Sequence, residues 1–183
     1  YLTLNSSAPI GHLGKVNPPL RPQADVDALW EGVRAGDIET IGSDHVPRKR
    51  ETKGPDIWKA SAGFPGLGTL LSTLLDEGVR KRGVPVERIA ALTSANVARL
   101  YSLPNKGCVW PGYDADFVIV DPDRAVVVDP ATQESFADYS PYEGMRFTGA
   151  AVRTILRGRT LAVDGAIEPA ARAAPAGRYL HRI

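Results

Sequence analysis

The sequence predicts an α/β fold whose C-terminal third turns into a β-rich module, and three observations carry that expectation. Short extended pieces alternate with amphipathic helices from Lys15 to about Leu103, the pattern of strand–helix units in a parallel sheet. Valine- and isoleucine-rich runs then replace the helical period after Gly107. The composition, 43% hydrophobic and 23% charged over 183 residues, is sufficient to bury a core and make one globular domain or parts of two.

Taken in order, Val26, Leu29, Trp30 and Val33 recur at helical spacing, with Asp25 as the expected N-cap and Gly36 as the stop. Ile38-Glu39-Thr40-Ile41 reads as a strand. Gly42-Ser43-Asp44-His45 leaves it abruptly and Pro47 forbids its continuation, which places Asp44 just past a strand's C-terminal end. Leu67, Leu70, Leu71, Leu74 and Leu75 form a stripe at i, i+3, i+4, i+7 and i+8 that should cover the sheet. A further helix is expected from about Pro85, as an N1 residue, and another from Ser94.

Phe117 to Val120 and Val126 to Val128 are strand-like, and Val152 to Leu156 with Thr160 to Val163 reads as a hairpin around Gly158-Arg159. Asp164-Gly165 marks another tight turn. Ala170 to Gly177, full of Ala and Pro, reads as a surface tail. The expected division is 1–104 for the strand–helix part, 105–169 for the β-rich part with its connecting loop, and 170–183 for the tail.

A formal charge of +1 comes from 22 basic and 21 acidic side chains mixed along the chain. No run builds the field that nucleic acid or an anionic membrane surface would need, so neither partner is expected. The single cysteine, Cys108, cannot form an internal disulfide, fits a reducing cytoplasmic compartment and is expected to be a small buried residue. No segment reaches the roughly 18 consecutive apolar residues of a membrane span. The start at Tyr1-Leu2-Thr3-Leu4, without a methionine, leads us to expect that something upstream is missing.

The chemistry rests on three segments in this order: Lys15-Val16-Asn17-Pro18-Pro19-Leu20-Arg21, Ala28-Leu29-Trp30-Glu31-Gly32 and Ile41-Gly42-Ser43-Asp44-His45-Val46-Pro47. Downstream come Ser94-Ala95-Asn96-Val97-Ala98-Arg99, Lys106-Gly107, Pro111-Gly112-Tyr113-Asp114-Ala115-Asp116-Phe117, Ser140-Pro141-Tyr142-Glu143-Gly144 and Gly177-Arg178-Tyr179-Leu180. Each is weak alone, but in this order and spacing they resemble the amidohydrolase superfamily. The likeness is to its cyclic amidases: hydantoinases, dihydropyrimidinases, dihydroorotases and allantoinases. It covers nearly the whole chain.

The resemblance implies the C-terminal portion of a (β/α)8 TIM barrel followed by strands of a small composite β-sandwich. It also implies two metal ions, typically zinc, at the strand ends, held by an HxH pair, a carboxylated lysine, two further histidines and one aspartate. Asp44 matches that aspartate. In the family's chemistry a hydroxide between the metals attacks the amide carbonyl, and a carboxylate beside it can take its proton and pass it to the leaving nitrogen. Read from spacing alone, with Ser43 and Pro47 nearby, Asp44 is a turn or N-cap aspartate rather than a catalytic one.

By the same resemblance Asn17 falls where relatives carry an Asn or Ser that bonds the substrate ring, and its plainer reading is a turn residue before proline. Ala60 to Gly66 matches a substrate-facing loop in which Ala62 replaces an asparagine, so Ala62 and Gly63 contribute through backbone atoms or serve simply as turn residues. Arg48 stands where dihydroorotases often carry a histidine against the substrate carboxylate, and an arginine can hold a carboxylate too. His45, His12 and His181 are read as structural or surface residues.

Three histidines without HxH spacing cannot complete a zinc site, and a barrel needs about 250 residues. The expected partners are therefore a small cyclic amide, the missing N-terminal part or a partner chain, and further copies in a homo-oligomer. The expected activity is metal-dependent hydrolysis of a cyclic amide or imide by the full-length parent, with the fragment inactive alone. The alternatives are a dihydroorotase, an allantoinase or a non-catalytic scaffold subunit.

Overall fold

A computed structural model describes residues 1–181. A short 3-10 turn (Gly11–Gly14) precedes helix α1 (Gln23–Ala35), and a second (Arg50–Lys53) follows a long irregular stretch. A 3-10 turn at Leu67–Thr69 opens α2 (Leu70–Thr73), which widens into a π-helix over Leu74–Arg80. Helix α3 (Val86–Ala90) passes through a π-helical Ala91–Ala95 into α4 (Asn96–Leu100). Strands β1 (Phe117–Val127), β2 (Arg146–Leu156), β3 (Arg159–Val163) and β4 (Ala166–Ile167) form one antiparallel sheet in sequence order, and α5 (Pro169–Ala173) follows. Of the expected sandwich, the described residues contribute this single sheet.

Helix α1 forms for the anticipated reason: Val26, Trp30 and Val33 lie on one face and are buried. Gly36 ends it in the left-handed conformation (φ 101°), donating its N–H to Gly32 O. Its start differs from expectation. The N-cap position is Pro22, with no side-chain cap, and Asp25 sits inside the first turn, where its charge faces the positive end of the helix dipole.

The core groups Val26, Trp30 and Val33 with Leu74, Val84, Ile89 and Leu92, and Leu2, Ile38 and Ile41 pack against it. Close approach of helices depends on Gly78, where a Cβ would meet the Trp30 ring at 2.8 Å. The Trp30 indole donates to Leu2 O at 2.8 Å, and the Arg82 guanidinium lies 5.1 Å over its ring. The leucine stripe is only partly core: Leu74 and Leu75 are buried, whereas Leu67 is exposed at the helix entry.

Pro85 occupies the N-cap of α3 rather than N1, and no helix starts at Ser94, because the backbone stays helical from Val86 to Leu100. Ile38 to Ile41 is extended but joins no ladder. It is strapped instead to the helices: Arg88 donates to Val33 O (3.0 Å) and Ile38 O (2.6 Å), Asn96 to Glu39 O (2.8 Å), and Ile41 N to Leu92 O (3.1 Å). A strand forms only where a partner strand meets its amides, and among the described residues none lies beside this segment.

The β-rich expectation is met with small shifts. Both predicted runs near residues 117–128 merge into β1, irregular between Asp121 and Ala125. The β2–β3 turn is Arg157–Gly158, both with positive φ (47° and 78°), so Arg159 already belongs to β3. Asp164–Gly165 repeats that geometry before β4. The sheet docks on α2 at Gly149 (φ 107°), where a Cβ would come within 2.6 Å of Leu75 Cβ. There Asp76, buried, accepts from Thr148 N at 3.1 Å and pairs with Lys81 at 2.6 Å.

The tail holds one helical turn, α5, and is tied back by Arg157 bonded to Ala176 O and Arg159 to Ala174 O and Ala170 O. The last two residues of the expected 170–183 segment lie outside the described residues. Cys108 is exposed, contrary to expectation, because the 105–116 loop lies on the surface.

Two stability predictions follow from this packing. Gly149→Ala adds a Cβ where Leu75 leaves no room, in a backbone region costly for L-residues. It should lower the urea midpoint by a destabilisation of about 1–3 kcal/mol, with the m-value unchanged. The second concerns pH. Burial, with Arg48 and Lys15 nearby, lowers the Lys53 pKa from 10.5 to about 8, and burial raises Tyr139 and Tyr142 to about 12. Between about pH 8 and 10.5 the unfolded chain holds the Lys53 proton that the folded chain has lost, so this group's contribution to stability rises with pH. The two phenols act oppositely above pH 10, their contribution falling as the unfolded chain ionises first. Melting curves of wild type and Lys53→Met from pH 7.5 to 10 should show the rise in the wild type alone.

Candidate functional site

At the end of the extended segment the chain turns sharply at Asp44, which takes a left-handed backbone (φ 45°). Aspartate tolerates that region better than most residues, and the turn brings its carboxylate to the lining of a cleft of about 240 Å3. The cleft lining includes Tyr1, Leu2, Thr3, Ile41, Phe64, Gly66, Thr69 and Tyr142. Asp44 is exposed to solvent.

Three loops meet beside it. The segment after Asp44 runs along residues 62–67: Val46 N donates to Phe64 O at 3.1 Å and Arg48 Nε to Ala62 O at 3.1 Å. His45 Nδ1 accepts from both Gly66 N and Leu67 N, each at 3.2 Å. The imidazole thus satisfies two amides at the entry to α2 and ties the Asp44 turn to that helix. Gly63, buried with φ 97°, donates its N–H to Lys15 O at 2.9 Å and stands where a Cβ would meet Val46 at 2.7 Å. Only glycine suits both its backbone angle and that approach.

The five candidate residues therefore fall in one loop cluster, but they do not all face one cavity. Asp44 lines the cleft; Asn17, Arg48, Ala62 and Gly63 do not, although Val16 and Phe64 beside them in sequence do. Asn17, exposed, precedes Pro18 through a cis peptide bond, and the Tyr1 hydroxyl donates to Pro18 O. The Tyr1 phenol itself is pushed up by burial and by the Asp44 charge. Arg48 is exposed and spends its Nε on the Ala62 carbonyl.

Two residues that sequence reasoning passed over or read as structural hold this cluster. His45 carries a visible signal, adjacency to Asp44 in an SDH run. Lys53 carries none: its ammonium is wholly buried and donates to Lys15 O (3.0 Å) and Ser61 O (2.9 Å). Among the described residues no group of three or more His, Cys, Asp or Glu gathers to hold a metal. Asp44 is thus one donor, and a zinc site takes three or four. The residues present do not by themselves form a metal centre.

The amidohydrolase family model matches residues 15–161. An allantoinase of Rubrobacter xylanophilus is 44% identical over 172 residues, covering 93% of this chain and 37% of that protein. An L-hydantoinase of Paenarthrobacter aurescens is 38% identical, covering 91% and 37%. Among solved structures, the L-hydantoinase (dihydropyrimidinase) from Arthrobacter aurescens superposes with a TM-score of 0.86 at 38% identity, covering 92% of this chain and 39% of that one. The D-hydantoinase (dihydropyrimidinase) from Thermus sp. gives 0.84 at 26% identity, covering 91% and 38%. The chain thus spans less than two-fifths of the length of these relatives, and its fold is that of a partial barrel. On the family match over residues 15–161 and these identities, the chain belongs to the amidohydrolase family.

Proposed function

We propose that this chain is part of a longer hydrolase that opens the C–N bond of a ring amide or imide, in the manner of a hydantoinase or dihydropyrimidinase, with Asp44 as the proton-transferring carboxylate. The observation that carries the reading is the placement of Asp44: a solvent-accessible residue in a left-handed turn, lining a cleft, within the loop cluster. Opening a ring amide requires that an attacking water lose a proton and that the leaving nitrogen gain one. A single carboxylate within reach of both takes the first proton on one oxygen and returns it to the nitrogen, ending unprotonated.

Asn17, the Ala62–Gly63 backbone and Arg48 are the residues we propose for holding the ring, from the loops that flank Asp44. Zinc, as a pair, is the proposed cofactor. When bound, such ions activate water and polarise the carbonyl. Asp44 would be this chain's one ligand, and the others must come from residues outside it. The rest of the longer protein, or a partner chain, is therefore required, and residues 1–183 alone should be inactive. A cytoplasmic homo-oligomer is the proposed setting. Among the described residues no helix is long and apolar enough to cross a membrane. Allantoin is the second substrate reading, favoured by the 44% identity to an allantoinase.

The deciding assay sets the full-length protein with zinc against hydantoin, dihydrouracil, dihydroorotate and allantoin. Ring opening of at least one is expected, and Asp44→Asn should lower kcat by roughly 10²–10⁴-fold with its fold retained by circular dichroism. A wild type inert towards all four, or an asparagine variant with undiminished turnover, would overturn the reading.

A further inference from the structure

Lys53 stands out once the site is described, because its chemistry is costly and its place is central. An ammonium buried to 0% exposure ordinarily has a carboxylate beside it. This one has two carbonyls, Lys15 O at 3.0 Å and Ser61 O at 2.9 Å, and its charged neighbours are the cations Arg48 and Lys15. An apolar side chain would fill the same volume without that penalty, so the useful property is the donation to two distant main-chain segments.

Those segments are the ones that bear the candidate ring-holding residues. Lys15 lies two residues before Asn17, and Ser61 directly precedes Ala62 and Gly63. The Lys15 carbonyl accepts from both Lys53 Nζ and Gly63 N, so one oxygen joins the two loops. Lys53 itself ends the 3-10 turn (Arg50–Lys53) on the segment that leaves Asp44, and Ser61 is bound a second time to that turn through Thr52 O at 3.1 Å. Two charge-assisted bonds from one buried ammonium to carbonyls of different segments suit a fixed post between loops.

We propose that Lys53 is a positioning residue: its buried ammonium fixes the Lys15–Asn17 and Ser61–Gly63 loops relative to the Asp44 turn, and thereby sets the affinity for the ring substrate. The inference rests on the ring-amide reading above and deepens it. Lys53 touches neither substrate nor reacting atoms; it acts through the two loops.

The test uses the full-length, zinc-loaded protein and whichever ring substrate the wild type opens. Lys53→Met keeps the volume and removes the donors. KM should rise at least about tenfold while kcat falls less than about threefold, because loop placement governs binding more than the proton transfer at Asp44. Lys53→Gln, whose shorter amide leaves one carbonyl unmet, should give a smaller rise in KM. It decides the matter if the methionine variant does not fold. Lys59→Met, an exposed lysine of the same region, controls for net charge and should leave both constants unchanged. A wild-type KM in a folded Lys53→Met, a loss confined to Tm, or failure of both Lys53 variants to fold would each overturn the positioning role and leave the ring-amide reading intact. A wild type that opens no ring would overturn that reading and this inference with it.

Discussion

The geometry of the site hangs on the hold that Arg88 takes on the segment leading to Asp44. One guanidinium reaches from α3 to the Val33 carbonyl in the last turn of α1 and to the carbonyl of Ile38, so two helices and the segment after α1 share a single planar donor. Asn96 on Glu39 O and Leu92 O on Ile41 N continue the strap towards Gly42. Each bond is modest by itself, on the order of 1 kcal/mol net. Together they set where an otherwise ladderless segment ends, and so where Asp44 turns into the cleft. The planar guanidinium presents Nε and Nη2 to the two carbonyls in one rigid fork, a geometry that the freely rotating ammonium of lysine does not fix.

Beneath that strap the apolar core gives it something rigid to act on. Trp30 is enclosed between Gly78 below and Arg82 above, and its indole N–H reaches Leu2 O, which anchors the segment forming one wall of the cleft. A second cluster of Leu4, Val128, Tyr142 and Phe147 supports the opposite wall, with Phe64 and Met145 packed on it. Close packing transmits position well, because a displaced side chain has no void to enter. The sheet therefore takes part in the site although none of its four strands lines the cleft: it braces Tyr142, and through Gly149 and Asp76 it braces α2.

Electrostatics divide along the same lines. Around Asp44 the loops are rich in cations, with Lys15, Arg48 and Lys53 on neighbouring strands of loop, while at the other end of α2 the charges are paired locally, Lys81 lying between Asp76 and Glu77. The paired end stabilises, whereas the cations of the other end have carbonyls rather than carboxylates as partners, and burial disfavours the Lys53 charge.

Much was legible from local pattern. The burial of one face of α1, its Gly36 stop, the strand character of the valine-rich runs and the tight turn at Asp164–Gly165 all follow from rules that act over a few residues, which is why periodicity and turn chemistry reached them, with the β2–β3 turn one residue away from its expected place. The order of short motifs likewise pointed to the family. Other features lay beyond that reach. The unbroken helix through Ser94, the exposure of Cys108, the ladderless state of Ile38 to Ile41 and the gathering of Asn17, Arg48, Ala62 and Gly63 into one loop cluster depend on segments far apart in sequence. Lys53 is the clearest case. The side chain is unremarkable in the string of letters, and becomes a buried ammonium only when Lys15 and Ser61, 38 and 8 residues away, close their carbonyls around it. Short-range sterics and periodicity are written in the sequence itself, whereas desolvation and partnering of a charge are set by which distant backbone comes to surround it.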